Sequence, residues 1–212
     1  RNLDLKRGGV LASQRCFWIV IQIFLVLISS TVRANSSDTE KTEPEYKWFV
    51  SIYGGPRTEE NLAEIATFNA NYSDNNYVVV GALAREFYQY KQWLSFELEG
   101  QIGKHFGSDN DHWEFVGAVL GRWHPFPWDK YIDTSFAMGG GLSYNSDISE
   151  TELKRDKHAQ HLLGYLAFEF TFGLPQYPSW DLMLRIHHRS GAKGIIGQSV
   201  SNYLCVGLKF AF

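Results

Sequence analysis

The sequence Tyr203-Leu204-Cys205-Val206-Gly207-Leu208-Lys209-Phe210-Ala211-Phe212 puts Leu204, Val206, Leu208, Phe210 and Phe212 on one parity and Cys205, Gly207, Lys209 and Ala211 on the other. Strand side chains alternate between two faces, so this segment offers an unbroken apolar row to one environment and small or charged residues to the other. Period two also suits an ordinary sandwich strand. An apolar outer face, a polar inner face and a terminal aromatic are what the closing strand of an outer-membrane barrel requires, with lipid outside and a polar lumen inside.

The amino-terminal segment separates those two readings. Residues 1–15 carry four basic residues and one acid, Phe17 to Ile28 form an apolar run, and Ser29-Ser30-Thr31-Val32-Arg33-Ala34 follows. That order predicts a secretory signal peptide over 1–34, cleaved near Asn35, ahead of a single barrel domain over 35–212. The run falls short of the roughly 20 apolar residues of a spanning helix. An uncleaved anchor is the alternative, and the polar stretch 35–46 carries no stop-transfer charge cluster.

Without Arg1, Lys6, Arg7, Arg15, Arg33 and Asp4, the balance of 20 basic to 23 acidic residues becomes 15 to 22, a net charge of −7. Such a balance, with no basic patch, argues against a nucleic-acid partner. Cys16 leaves with the signal, so Cys205 has no intramolecular disulfide partner and reads as a small packing residue. The remaining length of roughly 178 residues suits one domain.

Alternating stretches separated by polar turns predict a meander of eight strands, near 47–54, 77–87, 93–106, 113–123, 135–144, 162–174, 181–190 and 202–212. Eight is the smallest number for a closed single-chain barrel. Within 61–72, Leu62, Ile65 and Phe68 fit either a helical turn or an extension of the second strand. Parity supports closure around a polar interior. Leu94, Phe96, Leu98 and Ile102 share one face, against Ser95, Glu97, Glu99 and Gln101. Leu166, Phe168, Phe170 and Phe172 stand against Tyr165, Ala167, Glu169 and Thr171, and Glu114 shares a parity with Arg122. Inward acids need partners, and Arg122, Arg185 and Arg189 are the expected cations of a paired interior network. A catalytic role for those acids is the alternative.

An even barrel puts both termini on the periplasmic side, and long loops belong outside. Segments 55–76 and 145–160 are long and fall on the outer side, whereas 88–92 and 175–179 are short and fall inside. His124-Pro125-Phe126-Pro127-Trp128 reads as a longer inner turn with interface aromatics.

Chemistry concentrates on Leu182-Met183-Leu184-Arg185-Ile186-His187-His188-Arg189-Ser190-Gly191. Leu182, Leu184 and Ile186 set the lipid-facing parity, which His188 and Ser190 continue, with Cα atoms roughly 7 Å apart. An imidazole within reach of a hydroxyl is the general base of a serine nucleophile, and Gly191 permits an unusual backbone just after it. Two polar residues at the headgroup belt are the plainer alternative.

This region resembles the outer-membrane lipid A 3-O-deacylases, eight-stranded acyloxyacyl-hydrolase-like barrels whose His-x-Ser motif on the penultimate strand faces the bilayer and pairs with an acid at the start of the last strand. Glu97 to Gly107, His112-Trp113-Glu114-Phe115, Arg122 to Trp128 and His187 to Gly191 resemble a branch related to those enzymes. The resemblance covers nearly all of 35–212. It implies Ser190 as nucleophile and His188 as base, attacking the ester that joins a 3-hydroxyacyl chain to the glucosamine of lipid A in the outer leaflet, with no metal or organic cofactor.

Where the resemblance implies Glu, twelve residues beyond Ser190, this chain has Asn202, on the parity of Leu204. Asn can orient an imidazole but cannot offset its positive charge. Glu169 has the wrong parity to substitute, while Asp147, Glu150 or Glu152 could fold over from the long loop. The family's Asn after Ser is Gly191 here, so oxyanion donors are sought among the amides of Gly191 to Gly194 or the Gln198 side chain. The expected function is a serine esterase of lipid A in the bacterial outer membrane. The alternative is a non-catalytic barrel binding a ligand or partner through its extracellular loops, and eight strands leave no wide pore.

Overall fold

Eight antiparallel strands close into a barrel in chain order, with the first pairing the last. The structure, a computed structural model, describes residues 48–67, 69–107, 111–148, 160–191 and 200–212; the signal segment expected at 1–34 lies outside them. The strands are β1 (Trp48–Thr58), β2 (Tyr72–Tyr90), β3 (Leu94–Phe106), β4 (Trp113–Trp123), β5 (Asp133–Asn145), β6 (Leu162–Gly173), β7 (Trp180–Ser190) and β8 (Val200–Ala211), and a short helix α1 (Leu62–Ala66) joins β1 to β2. Trp48 and Phe212 exchange backbone hydrogen bonds at 3.2 and 2.9 Å, which seals the seam at the end of the barrel nearer the termini.

Alternation decides the two surfaces. Leu98 is 58% exposed while its neighbour Glu97 is 0%, and the same contrast runs through Ile52, Leu83, Ile102 and Leu142 outside and Tyr53, Ala82, Gln101 and Ser143 inside. Aromatics ring both ends of this apolar wall, with Trp48, Tyr90, Trp93, Trp123 and Trp180 near the termini and Phe106, Trp113 and Tyr144 at the far end. A wall apolar over its height and flanked by aromatic girdles is the surface a bilayer requires of a barrel.

The lumen is filled with paired charges. Arg122 donates to Glu97 at 2.5 Å and to Glu169 at 2.6 Å, and Arg185 forks onto Glu99 at 2.8 and 2.9 Å while its Nε reaches Glu169 at 2.6 Å. Arg189 lies 3.3 Å from Glu114. These are the acids and cations expected from parity. Lys209 joins them by donating to Glu97 at 3.0 Å, and Glu114 is shared by His105 at 2.7 Å and His187 at 3.0 Å. Each acid is held by its partners, which offsets the desolvation that buried charge incurs.

The first outer connection differs from expectation. The expected first strand ends at Gly54, yet β1 continues to Thr58 and β2 begins at Tyr72, so the loop is 59–71 rather than 55–76. Gly55 is there for close approach: a Cβ on it would lie 1.8 Å from the Leu204 carbonyl oxygen. Pro56 stays in register with Tyr77 beside an irregularity in the ladder. Of the two alternatives for 61–72, the helical turn holds for Leu62 and Ile65 in α1, Phe68 lies outside the described residues, and β2 reaches back only to Tyr72. Asn61 caps α1 by accepting from the Ala63 and Glu64 amides, and Glu64 returns to the Asn61 amide at 3.1 Å.

Candidate active site on the outer wall

Register aligns one row of residues around the far end of the barrel. Leu166 of β6 opposes His188 of β7, His188 opposes Asn202 of β8, Asn202 opposes Thr58 of β1, and Thr58 opposes Tyr72 of β2. Directly opposed residues share a face. His188 shares the parity of Leu182, Leu184 and Ile186, opposite to Arg185, His187 and Arg189, whose side chains fill the lumen. His188 and Ser190 therefore project from the outer wall.

Most outward side chains in the barrel are well exposed, but His188 is only 8% and Asn202 only 2% exposed. The loop between β1 and β2 folds against them. Asn202 Nδ2 donates to the Glu60 carbonyl at 2.8 Å. The Glu60 amide donates to Thr58 Oγ1 at 3.2 Å, Thr58 Oγ1 donates to the Asn71 carbonyl at 2.8 Å, and Asn71 Nδ2 donates to Glu60 Oε1 at 3.2 Å. Ile65 of α1 is fully buried and anchors the same loop.

This clamp has a chemical consequence at the imidazole. The Glu60 carbonyl can only accept, so the Asn202 amide must turn its nitrogen toward Glu60 and its oxygen toward His188. Asn202 Oδ1 hydrogen-bonds His188 Nδ1. Because that oxygen can only accept, Nδ1 carries the proton and Nε2 of the neutral ring holds the free lone pair. A general base acting on a serine requires that tautomer.

Ser190 lies two residues further along the same face, half-buried, opposite Val200 and opposite Gly164, which has no side chain to cover it. Among the described residues no hydrogen bond joins Ser190 Oγ to the His188 ring, and two strand steps separate their Cα atoms by roughly 7 Å. Catalytic hydrogen bonds are often open in the absence of substrate. Gly191 follows and is buried, whereas Gly194, Gln198, Glu150 and Glu152 lie outside the described residues. Asp147 accepts from the Ile148 amide at 2.8 Å, and Glu169 remains in the lumen, so neither is the partner of His188. Asn202 holds that place.

Thr58 and the Glu60 carbonyl are the site residues that motif reasoning missed. A signal was present in Asn61-Leu62-Ala63-Glu64, a capping box marking an ordered loop. Among the described residues no cluster of His, Cys, Asp or Glu is arranged to hold a metal ion.

No protein-family model matches the sequence, and no curated protein matches it either. Solved structures do. The outer membrane enzyme PagL superposes with a TM-score of 0.53 at 10% identity, covering 77% of this chain and 99% of PagL. The likeness is of fold. The outer membrane protein OprG from Pseudomonas aeruginosa has 11% identity and a TM-score of 0.37 over 79% of this chain and 97% of its own. Ail of Yersinia pestis has 10% identity and a TM-score of 0.26 over 80% and 100%.

Proposed function

We propose that the protein is a serine esterase of the bacterial outer membrane that removes an ester-linked 3-hydroxyacyl chain from lipid A in the outer leaflet. The observation that carries this reading is the outward His188, held by Asn202 as the Nδ1–H tautomer two residues from an outward serine. An apolar wall with aromatic girdles supports placement in a bilayer, and a reacting pair on that wall meets lipid rather than solute.

In this mechanism Ser190 Oγ attacks the acyl carbonyl carbon as His188 Nε2 takes the hydroxyl proton. The tetrahedral oxyanion accepts from backbone amides after Ser190, with the Gly191 N–H the first candidate. Collapse breaks the ester C–O bond, and the imidazolium gives its proton to the departing glucosamine oxygen, which leaves as a hydroxyl. Water then attacks the acyl-enzyme with His188 again as base, releasing the 3-hydroxy fatty acid and restoring Ser190. Asn202 orients the ring throughout without neutralising it, so turnover is slower than with a carboxylate in its place.

The open distance between Ser190 and His188 favours a second reading, a non-catalytic barrel that binds a ligand or partner through its outer loops. Mass spectrometry of lipid A from cells expressing the wild type or Ser190→Ala separates the two. Loss of one hydroxyacyl chain with the wild type alone supports the esterase, and identical spectra support the binding barrel.

A further inference from the structure

We infer that the outer mouth of the lumen binds an oxyanion on Arg57, at a site separate from the His188 wall. Among the described residues the buried cations of Arg and Lys are Arg57, Arg122, Arg185, Arg189 and Lys209, and the buried carboxylates are Glu97, Glu99, Glu114 and Glu169. Five stand against four. Arg122, Arg185, Arg189 and Lys209 are each paired with those carboxylates. Arg57 is the remainder.

Arg57 faces the lumen, since it opposes Tyr203, whose hydroxyl meets His105 there at 3.0 Å. It sits where the β1–β2 register shifts between Pro56 and Thr58, a device that re-aims a side chain. The residue is 3% exposed, yet its Nε and Nη2 are buried without a hydrogen-bond partner. A guanidinium cannot shed its proton to escape this cost, as a lysine or histidine can. His112, at the same mouth, is held neutral because burial lowers its pKa to about 3, so it neither balances nor adds to the charge of Arg57. A planar fork of donors without a carboxylate matches phosphate or carboxylate oxygens.

The surrounding polar atoms narrow the ligand. Ser201, two residues before Tyr203 on the same face of β8, has a buried hydroxyl without a partner. Asn76 and Asn145, at the same end, each bury an amide oxygen without one. These two acceptors require donors, which a bare carboxylate lacks. A hydroxyl-bearing oxyanion, such as a sugar phosphate or sugar acid, supplies both kinds of group.

The test uses the purified barrel in detergent, titrated calorimetrically with glucose 1-phosphate and, as controls, inorganic phosphate and glucose at matched ionic strength. A second arm uses nanodiscs containing a phosphorylated glycolipid or zwitterionic phospholipid alone. The wild type should bind glucose 1-phosphate more tightly than phosphate, and glucose not measurably. Arg57→Gln should weaken binding at least about tenfold, with Arg57→Lys intermediate and Ser190→Ala unchanged. Gel mobility before and after heating reports whether each variant is folded. Arg57-dependent binding in the nanodisc arm alone would identify a lipid headgroup as the source of the anion. No binding by the wild type in either arm, as when a carboxylate of the chain itself occupies the place, or equal binding by Arg57→Gln, overturns the proposal.

Discussion

Asn202 presents its amide oxygen to Nδ1 of His188 because its amide nitrogen is committed to the Glu60 carbonyl at 2.8 Å. A residue unable to carry charge thereby still selects the ring's tautomer, and its own orientation depends on a loop bond that spans 142 positions of sequence.

Replacing Asn202 separates orientation from charge. Asn202→Leu leaves the ring unoriented and should lower esterase turnover by about 10²- to 10⁴-fold. Asn202→Glu adds a charge-assisted hydrogen bond worth about 1–2 kcal/mol more than a neutral one and should raise turnover roughly 5- to 30-fold. Rates of 3-hydroxy fatty acid release from detergent-dispersed lipid A check both.

Thr58→Val removes the oxygen that binds the Glu60 amide and the Asn71 carbonyl, at a cost of about 1 kcal/mol in loop stability. The account predicts partial loss of the single His188 tautomer. Nitrogen-15 spectra of the imidazole should show a protonated Nδ1 and a bare Nε2 in the wild type and an average of the two in the variant. That readout needs no turnover, so it tests the clamp independently of esterase activity.

A base must be neutral to accept a proton, so the esterase rate should rise with pH to a plateau as His188 loses its proton. A pH–rate profile for kcat/KM tests this. A rate that falls as the pH rises from acid to neutral would remove His188 as the base.

The closed fold was legible in β8 and in β3 and β6, where the contrast between a lipid-facing and a charged lumen face is written at every second residue. The His188–Ser190 face followed from the same alternation. What local pattern could not give was long-range closure. Gly54-Gly55-Pro56 carries turn chemistry but serves close packing against Leu204, and Lys209, on the lumen parity, completes a charge network through Glu97, 112 positions away. Thr58 and Glu60 show no motif, because their role arises only when β1 pairs with β8 and brings the loop over Asn202.

Stability should respond to that interior network. Glu169→Ala removes a carboxylate shared by Arg122 and Arg185 and should cost about 3–5 kcal/mol, measured by urea unfolding of the barrel in detergent. Gly55→Ala should impair closure of the β1–β8 seam more severely, since its added Cβ meets backbone rather than a flexible side chain. The readout is loss of the heat-modifiable compact band on gels.

The most direct test of the central claim incubates purified wild-type barrel and Ser190→Ala with lipid A in micelles and follows free 3-hydroxy fatty acid by mass spectrometry. The account predicts steady release by the wild type and none above background by Ser190→Ala. Equal release by both proteins, or none by the folded wild type, would contradict it.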